Sequence, residues 1–145
     1  MSLFDRISDC APLKPERYIP FRVDGIDLGR VKLTAAEMLN RFDDVFDVSD
    51  SAVLMAQGLT NFHQRTQAMA RVLETLRAEG QVPCWRDEAY PVGVAFSQPP
   101  LFTMERAAVP LFGVKGYGVH VNGYVNDGQT LKMWIGRRSR TKPTG

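Results

Sequence analysis

The turn Asn126-Asp127-Gly128-Gln129 constrains this chain more than any other stretch. Asp and Gly both tolerate positive φ, so the pair reads as the closure of a hairpin between two alternating runs. Before it, Tyr117, Val119, Val121 and Val125 fall on one side of a pleated strand, and His120, Asn122 and Tyr124 on the other. After it, Leu131, Met133 and Ile135 share a side, opposite Lys132 and Trp134. A two-residue Asp127-Gly128 loop sets Val121 opposite Trp134 and Asn122 opposite Met133. An odd-length loop aligns the valine row with the Leu/Met/Ile row instead. A sheet buried on both faces tolerates either register, so both stay open.

Past Asp127 the charge is one-signed. No acid follows, whereas Lys132, Arg137, Arg138, Arg140 and Lys142 do. Such an end suits an anionic ligand, although a solvated terminus has the same composition. The whole chain carries a net charge of only +2, which neither demands nor excludes nucleic acid. Hydrophobic content of 44% and charged content of 23% over 145 residues are globular values and allow one ordinary domain, or one domain plus a fragment. Two cysteines, Cys10 and Cys84, are far apart and have no CxxC spacing, which disfavours a structural metal site and excludes a disulfide framework. Reduced thiols in a cytoplasmic protein are the default expectation. The start MSLFDRISDC carries acids and no long apolar core, so it does not read as a signal peptide. No run approaches the roughly 18 apolar residues of a membrane span.

Upstream, the pattern predicts α+β elements. Leu3, Phe4 and Ile7 are spaced as a short helix over Ser2 to Ala11, ended by Pro12 and Pro15. Phe21 and Val23, then Ile26 and Leu28, flank Asp24-Gly25 as a small hairpin. Pro20 assigns its first strand to a sheet edge, and Gly29 marks its end. Thr34 to Glu37 reads as a capping box, with Leu33 and Met38 as staple, opening a helix to about Asp43 that buries Met38, Leu39 and Phe42. Val45 to Met55 alternates around Ser49-Asp50-Ser51 and favours a second hairpin over a continued helix. Asn61 to Glu79 is the clearest helix: Asn61 caps it, Gln64 holds the box position, Phe62, Met69, Val72, Leu73 and Leu76 form the stripe, and Gly80 stops it. His63 in its first turn reads as a surface residue. Tyr90 to Phe96 and Leu101 to Arg106 read as extended segments.

The residues present exclude several chemistries. There is no nucleophile elbow and no GxxxxGK[ST] phosphate loop. Gly113, Gly116 and Gly118 precede a strand and not a helix, so they are no dinucleotide fingerprint. His120 among strand residues is more readily a half-buried structural histidine than a catalyst. Arg86, Asp87, Glu88, Glu105 and Arg106 are ion-pair candidates that would fix loop geometry.

Six stretches in one order carry a family resemblance: Trp85 to Tyr90 (WRDEAY), Met104 to Ala108 (MERAA), Phe112-Gly113-Val114, Tyr117 to Tyr124 (YGVHVNGY), Trp134 to Ser139 (WIGRRS) and Thr141 to Thr144 (TKPT). Together they resemble the N-terminal portion of a group of Nudix hydrolases in which a domain of unknown function precedes the Nudix fold; some eukaryotic relatives are joined to thiamine pyrophosphokinase. The resemblance implies hydrolysis of a diphosphate linkage, with Mg²⁺ or Mn²⁺ bound by glutamates of the Nudix box. That box is absent here, so no metal ligand and no catalytic residue carries over. What carries over is limited to basic positions near the substrate pocket, Arg137, Arg138 and Lys142; Trp134, His120, Asn122 and Tyr124 are candidate pocket residues beside them.

The expectation is therefore an α+β chain. Residues 1–106 form a small accessory domain of mixed strands and about three helices, and residues 107–145 form the opening strands of a Nudix-type mixed sheet. The chain is expected to be a fragment of a larger enzyme. In the full-length protein it would serve a nucleotide- or thiamine-type small-molecule diphosphate by substrate shaping or domain packing. Alone it would bind no metal and be inactive, because metal-assisted hydrolysis needs the missing carboxylates. An unpaired sheet edge favours a homodimer. The alternative is a stand-alone nucleotide or nucleic-acid binding module, stacking Trp134 and Tyr124 on bases beside the basic stretch; of the two, nucleic acid is the less favoured partner, and no membrane is expected.

Overall fold

The computed structural model describes residues 17–119 and 121–137. The predicted helix over Ser2 to Ala11 lies outside them. The chain separates into two compact units, Met1–Lys115 and Gly116–Gly145. The sequence reading divided it at 106/107, whereas residues 107–115 fall within the first unit. The fold is α+β, with three α-helices among the described residues.

Strands β1 (Tyr18–Val23) and β2 (Ile26–Lys32) pair as the antiparallel hairpin read from Asp24-Gly25. Both turn residues have positive φ, 52° and 77°, as a two-residue primed turn requires. Phe21 pairs with Gly29 but Arg22 with Asp27, so Leu28 is the extra residue of a bulge. β2 does not end at Gly29. That glycine is needed because a Cβ there would stand 2.3 Å from the Phe112 carbonyl oxygen, and one on Gly113 would stand 2.1 Å from that of Arg30. Two bare backbones touch, and the Arg30 N–H donates to the Gly113 carbonyl at 3.3 Å.

The edge assignment for Pro20 does not hold. With β3 at Phe46–Val48 and β4 at Val53–Met55, the four-stranded sheet runs β2-β1-β4-β3, which puts β1 inside. β4 (Val53–Met55) meets β1 in parallel only at Phe21 and Arg22, so that ladder stops short of Pro20 and asks no N–H of it. β3 (Phe46–Val48) and β4 form the favoured second hairpin; in its turn the Ser49 hydroxyl oxygen accepts from the Ala52 N–H at 3.2 Å.

Helix α1 (Leu33–Leu39) departs from its expected cap. β2 runs directly into it, Lys32 occupies the N-cap without a side-chain bond, and Thr34 sits inside the helix. The Leu33 N–H instead donates to the Arg17 carbonyl at 3.1 Å, so backbone takes over the capping task. The helix stops at Leu39 and buries Ala35, Ala36 and Leu39, while Met38 and Phe42 lie half-buried against the core.

Helix α2 (Phe62–Ala78) matches its local signals closely. Asn61 Oδ1 accepts from the Gln64 N–H at 3.0 Å, and Gln64 Oε1 reaches back to the Thr60 N–H at 3.0 Å. Gly80 has φ 73° past the C-cap. Ala68, Met69, Val72, Leu73 and Leu76 are buried. Phe62 stays outside this stripe, exposed and edge-on to the exposed His63.

β5 (Ala89–Val92) and β6 (Phe102–Glu105) make a second antiparallel sheet. β5 ends at Val92 and not at Phe96, because the Leu101 N–H turns back onto the Val92 carbonyl at 2.8 Å. A 3-10 turn (Arg106–Ala108) and the short helix α3 (Val109–Phe112) follow. Phe21, Phe46, Phe102 and Phe112 meet at the centre of the core, with ring centroids 5.2 to 6.3 Å apart. The first unit thus joins both sheets, α2 and α3 in one hydrophobic core.

The second unit is the hairpin of β7 (Tyr124–Asn126) and β8 (Leu131–Met133). Tyr124 pairs with Met133, Val125 with Lys132 and Asn126 with Leu131. The valine row therefore shares a face with Lys132 and Trp134, and not with Leu131, Met133 and Ile135. The register is two residues away from that of an Asp127-Gly128 loop, because the turn centres on Gly128 and Gln129, closed by the Asp127 N–H on the Thr130 carbonyl at 3.3 Å.

Candidate functional site

Glu105 organises one end of the first unit. Its carboxylate is buried and accepts three backbone N–H groups: Arg86 and Ala107 on Oε1, each at 3.0 Å, and Glu88 on Oε2 at 3.1 Å. It braces the 84–88 loop, where Cys84 and Asp87 hold positive φ of 60° and 55°. Asp tolerates that conformation, whereas a cysteine there is uncommon and is held by its surroundings. Asp87 accepts the Trp85 indole N–H at 2.8 Å, and the Arg77 guanidinium lies 4.6 Å from the Trp85 ring centroid. Arg106 donates to both carboxylate oxygens of Glu88, at 2.7 and 3.0 Å. The five ion-pair candidates therefore sort into one ion pair (Glu88 with Arg106), one carboxylate held by backbone (Glu105), one indole acceptor (Asp87), and Arg86, which contributes its main-chain N–H. A carboxylate that accepts three main-chain N–H groups positions the loop that carries them.

Arg65 is the residue that sequence reasoning missed. It is 5% exposed, donates to both oxygens of Asp24 at 2.9 and 2.8 Å, and gives its Nε–H to the Leu59 carbonyl at 2.8 Å. The signal was present: position 65 falls on the spacing of Met69, Val72, Leu73 and Leu76, so the arginine sits on the buried stripe of α2. Asp24 helps line a cleft of about 710 Å³, with Arg22, Asp27, Asp47, Leu54 and Gln57 among others. Arg22, Asp27, Leu54 and Asp47 are cross-strand neighbours on the sheet face turned away from the core.

The predicted phosphate and pocket residues belong to the second unit. Arg137 is exposed; Arg138, Lys142 and His120 lie outside the described residues. Asn122, Tyr124 and Trp134 are exposed, the last two at 65% and 76%. Trp134 covers Gly123, whose Cβ position is 3.5 Å from Trp134 Cδ1. Tyr124 pairs with Met133 and so points from the opposite face. The hairpin does not bring Trp134 and Tyr124 together on one surface. Its turn is held by Asp127, whose Oδ1 accepts from the Gln129 and Thr130 N–H groups at 3.0 and 2.8 Å, while the Thr130 hydroxyl reaches Oδ2 at 3.0 Å. These donors, the Thr130 N–H first, hold the Asp127 carboxyl below its ordinary pKa.

A family described as a domain of unknown function (DUF4743) matches residues 2–116. The chain belongs to that family. The match ends beside the boundary between the two compact units. This DUF4743 chain is 40% identical to Nudix hydrolase 20, chloroplastic, of Arabidopsis thaliana, over 97% of its own length and 41% of the relative's. It is 41% identical to Nudix hydrolase 24, chloroplastic, of the same plant, over 88% of its length and 35% of the relative's. An uncharacterised protein of Saccharomyces cerevisiae matches at 29% identity over 99% of the chain and 46% of that protein. The chain spans under half the length of these relatives and resembles the N-terminal part of Nudix hydrolases.

Nudix hydrolases generally use divalent metal ions. The described residues do not fit such an ion: among them no group of three or more His, Cys, Asp or Glu side chains is placed to hold one. The cytoplasmic expectation is corrected, because the two plant relatives are chloroplastic. It rested on cysteine usage and on the lack of a secretory pattern, and neither property distinguishes one reducing compartment from another. Among the described residues, no helix is long and apolar enough to cross a membrane.

Proposed function

We propose that this chain is the N-terminal region of a Nudix-family hydrolase that cleaves a small-molecule diphosphate, of nucleotide or thiamine type. Its residues 1–115 act as an accessory domain, and residues from 116 onward supply opening strands of the catalytic sheet. The observation that carries this reading is the 40% identity to Nudix hydrolase 20 across 97% of the chain, hairpin included. The accessory unit contributes rigid packing: Glu105 braces the 84–88 loop, and Arg65 ties α2 to the β1–β2 turn. The basic stretch Arg137, Arg138 and Lys142, after which and between which the sequence places no acid, serves diphosphate oxygens on this reading.

On this reading the chain by itself is inactive, since metal-assisted hydrolysis needs the carboxylates of a Nudix box that these 145 residues do not contain. Trp134 and Tyr124 on opposite faces of the hairpin weaken the alternative of a stacking platform for nucleic acid. The test is an assay of the 145-residue chain, and of a longer polypeptide that includes a Nudix box, against a panel of diphosphates with Mg²⁺ or Mn²⁺. Turnover is expected only from the longer form. Metal-dependent turnover by the short chain, free of contaminating enzyme, would overturn the proposal.

A further inference from the structure

The ladder between β1 and β4 is parallel and short: Phe21 meets Val53, Arg22 meets Leu54, and there it stops. β4 stays with β3 for longer, since the Ala56 N–H still donates to the Val45 carbonyl at 2.8 Å. β1 meanwhile turns away into β2 at Asp24-Gly25. A crevice opens past the carboxyl ends of these two parallel strands, the position at which open α/β sheets take their ligands. It is the cleft of about 710 Å³, a volume within the range of small-molecule sites. Arg65 fixes its width. From one buried guanidinium, Nη2 holds Asp24 on the β1–β2 turn and Nε holds the Leu59 carbonyl, on the segment that follows β4. Both walls are tied to α2, so the cleft is formed before any ligand arrives.

The charges around the cleft nearly cancel. Arg22 pairs with Asp27, and Arg65 with Asp24. Asp47 is left over, with no ion pair among the described residues. Leu54 stands between Asp47 and Arg22 in one cross-strand row and is 37% exposed. Met55 and Gln57 continue the lining past the end of β4. The three carboxylates of the cleft are not grouped to hold a metal ion. What the cleft offers is one uncompensated negative charge beside an apolar surface.

We infer that this cleft binds a small organic monocation, an alkylammonium or alkylguanidinium compound. Asp47 is its counter-ion, Leu54 and Met55 carry its carbon chain, and the Gln57 amide serves a polar group at the far end of that chain. A charge-assisted hydrogen bond to Asp47 sets the ligand's orientation, and the apolar contact selects an organic cation over a hydrated inorganic one. The site lies wholly within the first unit and is independent of the hydrolase reading.

The experiment titrates n-butylammonium into the 145-residue chain at constant ionic strength, followed by amide and methyl NMR. Saturable shifts are expected at Asp47, Leu54 and Gln57, and none from n-butanol, the neutral analogue, over the same range. Asp47→Asn should weaken binding about fivefold or more, and Leu54→Ser by a similar factor. Asp50→Asn, in the β3–β4 turn and outside the cleft lining, should leave it unchanged. Neither Asp47 nor Leu54 belongs to the hydrophobic core, so a retained cooperative thermal transition shows that each variant has folded. Shifts that do not saturate, or an equal loss in Asp47→Asn and Asp50→Asn, overturn the site. The same shifts produced by Mg²⁺ at lower concentration also overturn it and assign the cleft to a metal ion.

Discussion

Exchanging Glu105 for Gln replaces one carboxylate oxygen by an NH₂ group and removes a charge. The remaining oxygen can keep the Arg86 and Ala107 N–H groups, which share Oε1. The new NH₂ must then face the Glu88 N–H at about the present 3.1 Å, donor against donor. Hydrogen bonds to charged acceptors contribute about 1.5–3 kcal/mol and neutral ones about 0.5–1.5, so two weakened bonds cost about 1 kcal/mol each. The third is lost, at about 1 kcal/mol, since Glu88 is exposed and water can replace part of it. The sum is about 3 kcal/mol, a large share of the roughly 5–15 that hold a domain together. At urea m-values of about 1–3 kcal/mol/M the unfolding midpoint should fall by about 1–3 M. Amide exchange at Arg86, Glu88 and Ala107 should quicken ahead of the rest of the unit. A loss below about 0.5 kcal/mol, or exchange unchanged at those three amides, would refute the brace.

Gly29→Ala and Gly113→Ala should each cost about 2 kcal/mol or more, since each adds a Cβ within 2.3 Å of a carbonyl oxygen. Both break one contact, so the double variant should lose less than the sum, as thermal unfolding of all three proteins would reveal. Asp24→Asn should destabilise more than Arg65→Met, by about 2 kcal/mol, because the first strands a buried guanidinium while the second leaves an aspartate that water already reaches. Equal losses in chemical denaturation would contradict this asymmetry. The hairpin turn should loosen in acid: the Asp127 carboxyl has a folded pKa below its ordinary value, so its stabilisation is complete above the ordinary value and is lost as pH falls through the folded one. Thr130 amide exchange against pH should show this step, and Asp127→Asn should abolish it.

Several elements were legible locally. Asp24-Gly25, Asn61 with Gln64, Gly80 and the turn after Val125 all close through groups within a few residues, so their geometry follows from side-chain chemistry and the φ each residue tolerates. The capping box at Thr34 failed on the same ground: its donor need was met from outside, by Arg17, and no local pattern reports that. Likewise, the 84–88 motif and Glu105 could be picked out as charged neighbours, but their residue types do not say that the carboxylate takes main-chain N–H groups and leaves Arg106 to Glu88.

What the chain order alone determined, then, is where strands turn, where α2 begins and stops, and which end is basic. Tertiary structure decided that β1 lies inside its sheet, that Arg65 pairs with an aspartate 41 residues away, and that two glycines far apart in sequence meet backbone to backbone. The physical reason is reach. A turn or cap is satisfied within a few residues, whereas a buried charge or a close backbone approach takes its partner from whatever the packed core brings near.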